Sequence, residues 1–160
     1  MKILILGIGN PGRGDDGLGP ALVARLSDAE TAEWAEASTF AVLDGKATAA
    51  WKYQLNVEDA DTIKDFEVVM FVDASAVGDE PVVLTPLLPA KSITFSTHEM
   101  SPASVLALAE ELYGRAPKGH LLAIRGYAWE MGEGLSERAR QNLASAAALL
   151  KEALGANLAR

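Results

Sequence analysis

Apolar residues along the chain gather into short runs closed by Gly, Pro or Asp, and these alternate with longer stretches in which apolar positions recur at helical spacing. Residues 2–8 form an apolar run without alternation that breaks at Gly7-Ile8-Gly9-Asn10-Pro11, which predicts a strand buried on both faces. From Gly17 onward, Leu18, Ala21, Leu22, Arg25 and Leu26 share one helical face, with Pro20 tolerated in the first turn. Residues 39–43 predict a second strand ending at Asp44-Gly45, and residues 67–72 a third, apolar from Val68 and ending at Asp73. Between them, residues 57–64 predict a short helix, while residues 51–55 are ambiguous.

Further on, residues 82–84 predict an edge strand because Pro81 and Pro86 flank it, and residues 92–95 another short strand. The next helix carries its own punctuation: Ser101 as N-cap, Pro102 at the first helical position, Val105, Leu108, Ala109 and Leu112 at helical spacing, and Gly114 as the stop. Residues 121–124 predict a buried strand. The final helix runs from a Ser136 cap to about Leu154, with Ala139, Leu143, Ala146, Ala147, Leu150 and Leu154 inward and Gly155 at its end. Strands alternating with helices in this way predict an α/β fold: a single three-layer domain over residues 1–160, with a twisted, mostly parallel sheet between helices on both faces.

Composition narrows the function classes. With 160 residues, 49% of them hydrophobic, the chain can bury a core without disulfide or structural metal. The net charge of −8 has the wrong sign for a broad grip on phosphate backbones, so nucleic acid is not expected as a partner. The absence of Cys excludes thiol proteases, iron–sulfur clusters and Cys-type zinc sites. No stretch reaches the roughly 18 apolar residues of a membrane helix, and the apolar start breaks before it resembles a signal peptide. No membrane insertion is expected, and the expected compartment is the cytoplasm.

In open parallel sheets, ligands gather beyond the carboxyl ends of the strands. By that rule Asp15, Asp16, Asp44, Asp73 and His98 all fall at one edge, whereas His120 precedes its strand and reads as a surface residue at the other. Asp73 closes an apolar strand, so its charge lies close to the core and needs a partner. Asp16, Asp73 and His98 make an open site for a divalent ion such as zinc, nickel or cobalt, although three ligands from three separate loops form no local motif. Gly7-Ile8-Gly9-Asn10-Pro11-Gly12 fits the G-x-G-x-x-G of a dinucleotide site, but Asp15 and Asp16 would occupy the place where a pyrophosphate needs bare amides. No G-x-S-x-G elbow is present, and a Ser75–His98–Asp73 arrangement is an awkward layout for a nucleophilic serine.

Seven segments stand in order along the chain: Gly7-Ile8-Gly9-Asn10, Asp15-Asp16-Gly17-Leu18-Gly19, Phe71-Val72-Asp73-Ala74, Ser96-Thr97-His98-Glu99-Met100-Ser101, Leu106-Ala107-Leu108-Ala109, Tyr113-Gly114, and Glu130-Met131-Gly132-Glu133-Gly134-Leu135-Ser136. Together they resemble the hydrogenase maturation proteases, endopeptidases that trim the C-terminus of the [NiFe] hydrogenase large subunit. The resemblance implies a twisted sheet between helices and metal-contacting, catalytic roles for Asp16, Asp73 and His98. It further implies nickel supplied by the substrate as the metal, other divalent ions being able to substitute, and a nickel-loaded large-subunit precursor as the partner. Asp44 falls where the family has an acid next to glycine, with Lys46 in place of a second glycine-like position. The opening through Gly12 also resembles peptidyl-tRNA hydrolase, whose catalytic histidine would follow the turn where this chain has Asp15-Asp16. A non-catalytic nickel-binding or hydrogenase-docking module using the same three ligands is the remaining alternative.

Overall fold

The computed structural model describes residues 1–27, 35–93, 95–96 and 99–155, with the side chains at 95, 96 and 99 outside the description. In chain order the elements are β1 (Ile3–Ile8), a 3-10 turn (Gly14–Gly17), α1 (Leu18–Leu26), β2 (Phe40–Val42), β3 (Ala47–Lys52), α2 (Glu58–Ile63), β4 (Val68–Ser75) and β5 (Val82–Leu87). They continue with β6 (Phe95–Ser96), β7 (Glu99–Met100), α3 (Pro102–Tyr113), β8 (Lys118–Arg125) and α4 (Glu137–Gly155). Among the described residues, six strands form one sheet in the order β2-β3-β1-β4-β8-β5. The four inner strands are parallel, and β2 and β5 are antiparallel edges. The expected α/β layering is what forms.

Because side chains alternate across a pleated strand, each inner strand feeds both layers. Ile5 of β1 with Met70 and Val72 of β4 pack under Leu18, Leu22 and Val23 of α1 and Ala139, Leu143, Ala146 and Leu150 of α4. Leu4, Leu6, Val69 and Phe71 face the other way, onto Ala60 and Ile63 of α2 and Val105, Leu106 and Ala109 of α3. This two-sided burial explains why β1 and β4 read as continuous apolar runs. At α3 the punctuation works as expected: the Ser104 N–H donates to Ser101 Oγ at 3.1 Å, Pro102 opens the helix, and Gly114 ends it at φ 72°.

Four expectations change. The ambiguous residues 51–55 include the end of β3, which buries Trp51 between parallel β1 and antiparallel β2. The short strand expected at 92–95 begins only at Phe95. Arg25, placed on the inward face of α1 by spacing, is exposed because a guanidinium near the end of a nine-residue helix reaches water more easily than a core. His120, expected on the surface before its strand, lies within β8 beside Met70 and is only 6% exposed, since the strand begins two residues earlier at Lys118.

Candidate functional site

Chain path decides where the site lies. β1 is followed by elements on one side of it, β2 and β3, and the chain then crosses over to β4 on its other side, so the strand order reverses between β1 and β4. Such a reversal opens a crevice beyond the carboxyl ends of the two strands. Gly19, in the first turn of α1, is wedged there: a Cβ on it would stand 2.5 Å from both the Ile8 and Val72 carbonyl oxygens. The turn carrying Asp15 and Asp16 immediately precedes this wedge and is seated over the ends of β1 and β4.

Asp16 is half-buried, and the Asn10 N–H donates to its Oδ2 at 2.9 Å. Gly9 makes room for that turn, with φ +139° and a would-be Cβ 1.9 Å from the Asp16 carbonyl oxygen. Asp73 is half-buried within β4, one residue past Val72, which pairs with Gly7 at the end of β1. The Ala74 N–H donates to Asp73 Oδ1 at 2.8 Å. Both acids therefore stand at the crevice. The third expected ligand, His98, lies outside the described residues. Among the described residues no group of three or more His, Cys, Asp or Glu side chains is positioned to hold a metal ion.

Asp44 corrects the strand-end rule. It follows β2, but β2 runs antiparallel to β3, so the carboxyl end of β2 lies at the amino end of the parallel strands. There Asp44 sits in a tight hairpin turn at φ 56° and lines a hollow with Ile3, Lys46 and Lys151, across the sheet from Asp16 and Asp73. Ser75 is also accounted for: its hydroxyl donates to the Val77 carbonyl at 2.6 Å and accepts from the Val77 N–H, holding the turn after β4.

Asp15, expected to share the helix N-terminus with Asp16, instead turns inward and is fully buried. Its Oδ2 accepts from the Tyr127 N–H at 2.7 Å, the Ala128 N–H at 3.0 Å and the Ser136 hydroxyl at 2.8 Å, while Oδ1 accepts from the Ser136 N–H at 2.7 Å. Burial pushes the carboxyl pKa up, and the donors from Ser136, Tyr127 and Ala128 outweigh it, holding Asp15 below the ordinary carboxylate value of 3.8. Sequence reasoning missed this role. The available signal was the glycine-rich segment 130–136, which had matched the family pattern without any task assigned to it.

Beside the crevice, Arg13 and residues Tyr127 to Met131 line an open groove of about 880 Å³. The Arg13 Nε donates to the Trp129 carbonyl at 3.2 Å, and Met131 at its rim is 67% exposed.

Comparison with solved structures matches the fold. The [NiFe] hydrogenase maturation protease HycI from Thermococcus kodakarensis KOD1 aligns over 96% of this chain and 92% of its own, with 25% identity and a TM-score of 0.64. The hydrogenase maturating endopeptidase HybD of E. coli aligns over 99% and 94%, with 19% identity and a TM-score of 0.67. The chain has the fold of the hydrogenase maturation proteases. The hydrogenase 2 maturation peptidase from Thaumarchaeota archaeon SCGC_AB-539-E09 extends the likeness, over 97% and 99% of the two chains at 21% identity and a TM-score of 0.61. No protein-family model and no curated protein matches the sequence. Within the maturation-protease fold, the crevice between β1 and β4 is where this chain gathers Asp16 and Asp73.

Proposed function

We propose that this chain is an endopeptidase that removes the C-terminal extension of a nickel-loaded [NiFe] hydrogenase large-subunit precursor in the cytoplasm, recognising the substrate's nickel through Asp16, Asp73 and His98. The observation that carries the reading is the standing of Asp16 and Asp73 at the ends of adjacent parallel strands, in a fold shared with maturation endopeptidases. The groove beside that crevice, with its exposed Met131, suits an extended peptide. Among the described residues no helix is long and apolar enough to cross a membrane.

The donor set fits a nickel ion carried by the substrate: two carboxylates and one imidazole are ordinary ligands for it and leave positions for the precursor's own donors. Affinity for such a set makes loaded precursor the preferred substrate and delays cleavage until the metal is in place. Nickel held by Asp16, Asp73 and His98 would supply Lewis acidity toward the scissile carbonyl or the attacking water. The chain's own part is to fix the peptide across the strand ends and to accept the proton of the attacking water on a carboxylate oxygen of Asp16 or Asp73.

Intact-mass analysis of purified chain incubated with nickel-loaded precursor tests the reading. Release of a C-terminal peptide by the wild type, and loss of release by Asp73→Ala and His98→Ala variants that keep their circular dichroism, are expected. A stable complex without cleavage would make the chain a docking module instead, and full processing by both variants would remove the site.

A further inference from the structure

We propose that Asp15 is a positioning residue that sets Asp16 and Asp73 in register with each other, a role that rests on the reading of those two acids as the reacting edge. The carboxylate and the N–H of Asp15 are spent on one segment, the loop between β8 and α4, while its carbonyl accepts from the Leu18 N–H within the turn. Besides the four bonds accepted by its carboxylate, its N–H donates to the Ala128 carbonyl at 2.7 Å. The same loop reaches on to the other acid, because the Gly126 N–H donates at 2.9 Å to the carbonyl of Ser75, two residues beyond Asp73 on β4. Two hydrogen bonds, from the Tyr127 N–H to the Asp15 carboxylate and from the Gly126 N–H to the Ser75 carbonyl, thus join the backbone beside Asp16 to the backbone beside Asp73 through the adjacent residues Gly126 and Tyr127.

Two further backbone bonds zip the loops together, from the Gly14 N–H to the Glu133 carbonyl at 3.0 Å and from the Gly132 N–H to the Gly12 carbonyl at 2.8 Å. Asp15 is the side chain at the centre of that zip and is fully buried. A carboxylate is required there by the donor count. Four donors converge on its two oxygens, and an amide of the same shape would turn an N–H₂ toward a backbone N–H. Such a swap keeps the volume and loosens the joint between the two acids. Small misplacements of reacting groups cost rate far out of proportion to their size.

Asp15→Asn is the direct test, read by steady-state processing of the nickel-loaded precursor and by hydrogen exchange at the Asn10 and Gly126 amides. Those amides report the Asp16 and Ser75 contacts without reference to activity. The expected result is a folded variant with KM within about twofold of wild type, kcat lowered about tenfold or more, and faster exchange at both amides. Ser136→Ala removes only one of the four donors and should move all readouts in the same direction by less, which keeps the idea testable if Asp15→Asn fails to fold. A folded Asp15→Asn, or failing that Ser136→Ala, with wild-type kcat and unchanged exchange at Asn10 and Gly126 would overturn the role, as would a loss confined to melting temperature. Full processing by Asp16→Ala and Asp73→Ala would instead sink the proposed function, and the exchange data would still decide whether Asp15 joins the two loops.

Discussion

The two ends of the sheet are built on opposite terms. At the carboxyl end, backbone crowds backbone: the Asp16 carbonyl lies where a Cβ on Gly9 would sit, α1 is pressed onto the Ile8 and Val72 carbonyls, and a charged side chain is enclosed with all its donors supplied. At the amino end the tip of the β2–β3 hairpin, Asp44 to Lys46, is exposed. Leu43 and Asp44 there take positive φ, and a Cβ on Gly45 would meet nothing within 4 Å. An aspartate beside a glycine is present at both ends. Enclosure, rather than residue type, separates an acid with a fixed geometry from one that merely makes a turn.

Glycine substitution should break this contrast most sharply. Gly9→Ala must displace the Asp16 carbonyl, which a Cβ would approach to 1.9 Å at a φ of +139°. The expected cost is about 3 kcal/mol or more, with loss of processing in whatever fraction folds. Gly45→Ala meets no neighbour and bears only the left-handed backbone penalty of about 1 kcal/mol. Chemical denaturation of both variants measures the difference; equal losses would mean that the crowding at the carboxyl end is not real.

Next in size is the removal of the enclosed charge. Asp15→Ala strands the Tyr127, Ala128 and Ser136 N–H groups, and with each buried donor left short by about 1–3 kcal/mol the expected loss is about 2–4 kcal/mol at neutral pH, some donors finding water. Because the folded carboxyl is held below 3.8, its contribution is complete above that value and is lost as pH falls through the folded pKa. The gap between wild type and Asp15→Ala in urea titrations should therefore close only in strong acid. A gap already closing near pH 6 would point to a different group.

That different group has its own window, at the other end of the sheet. His120 is buried near the start of β8, its Nδ1 has no hydrogen-bond partner among the described residues, and burial, followed by the charge of Lys118, pushes its pKa below 6.5. The unfolded chain takes up a proton near pH 6.5 that the folded chain refuses until lower pH, so stability is full above that value and declines as pH falls beneath it. His120→Leu should flatten this limb while leaving the Asp15 limb below 3.8 in place, as followed by urea midpoints between pH 7.5 and 2.5. An unchanged slope would show that His120 does not set it.

Much of this was legible from residue order, and the failures share a cause. β1 and β4 could be read because both their faces are buried, and α3 and α4 because each buries one face and carries its own N-cap, so local pattern and tertiary role agree. Asp16 and Asp73 followed from strand ends alone. Asp44 and Asp15 were misplaced because strand direction and the inward turn of a side chain are tertiary facts. β3 was not read as a strand at all, and without it β2 appears parallel and carries Asp44 to the wrong edge. Asp15 looks like its neighbour in sequence, and only the loop more than a hundred residues away distinguishes them.

Asp44 offers the smallest effect and the cleanest check on that reading. Set at φ 56° in an exposed hairpin, it pays part of the left-handed penalty that Gly would avoid, while Gly would gain freedom in the unfolded chain. These terms oppose one another at about 1 kcal/mol each, so Asp44→Gly should change stability by less than about 1 kcal/mol in either direction. Processing of the nickel-loaded precursor should be unaltered, since the parallel strands separate this turn from Asp16 and Asp73 by their full length. A large loss of kcat with the fold intact would mean that substrate reaches across to the amino end as well. The working surface would then have to be redrawn from one rim of the sheet to both.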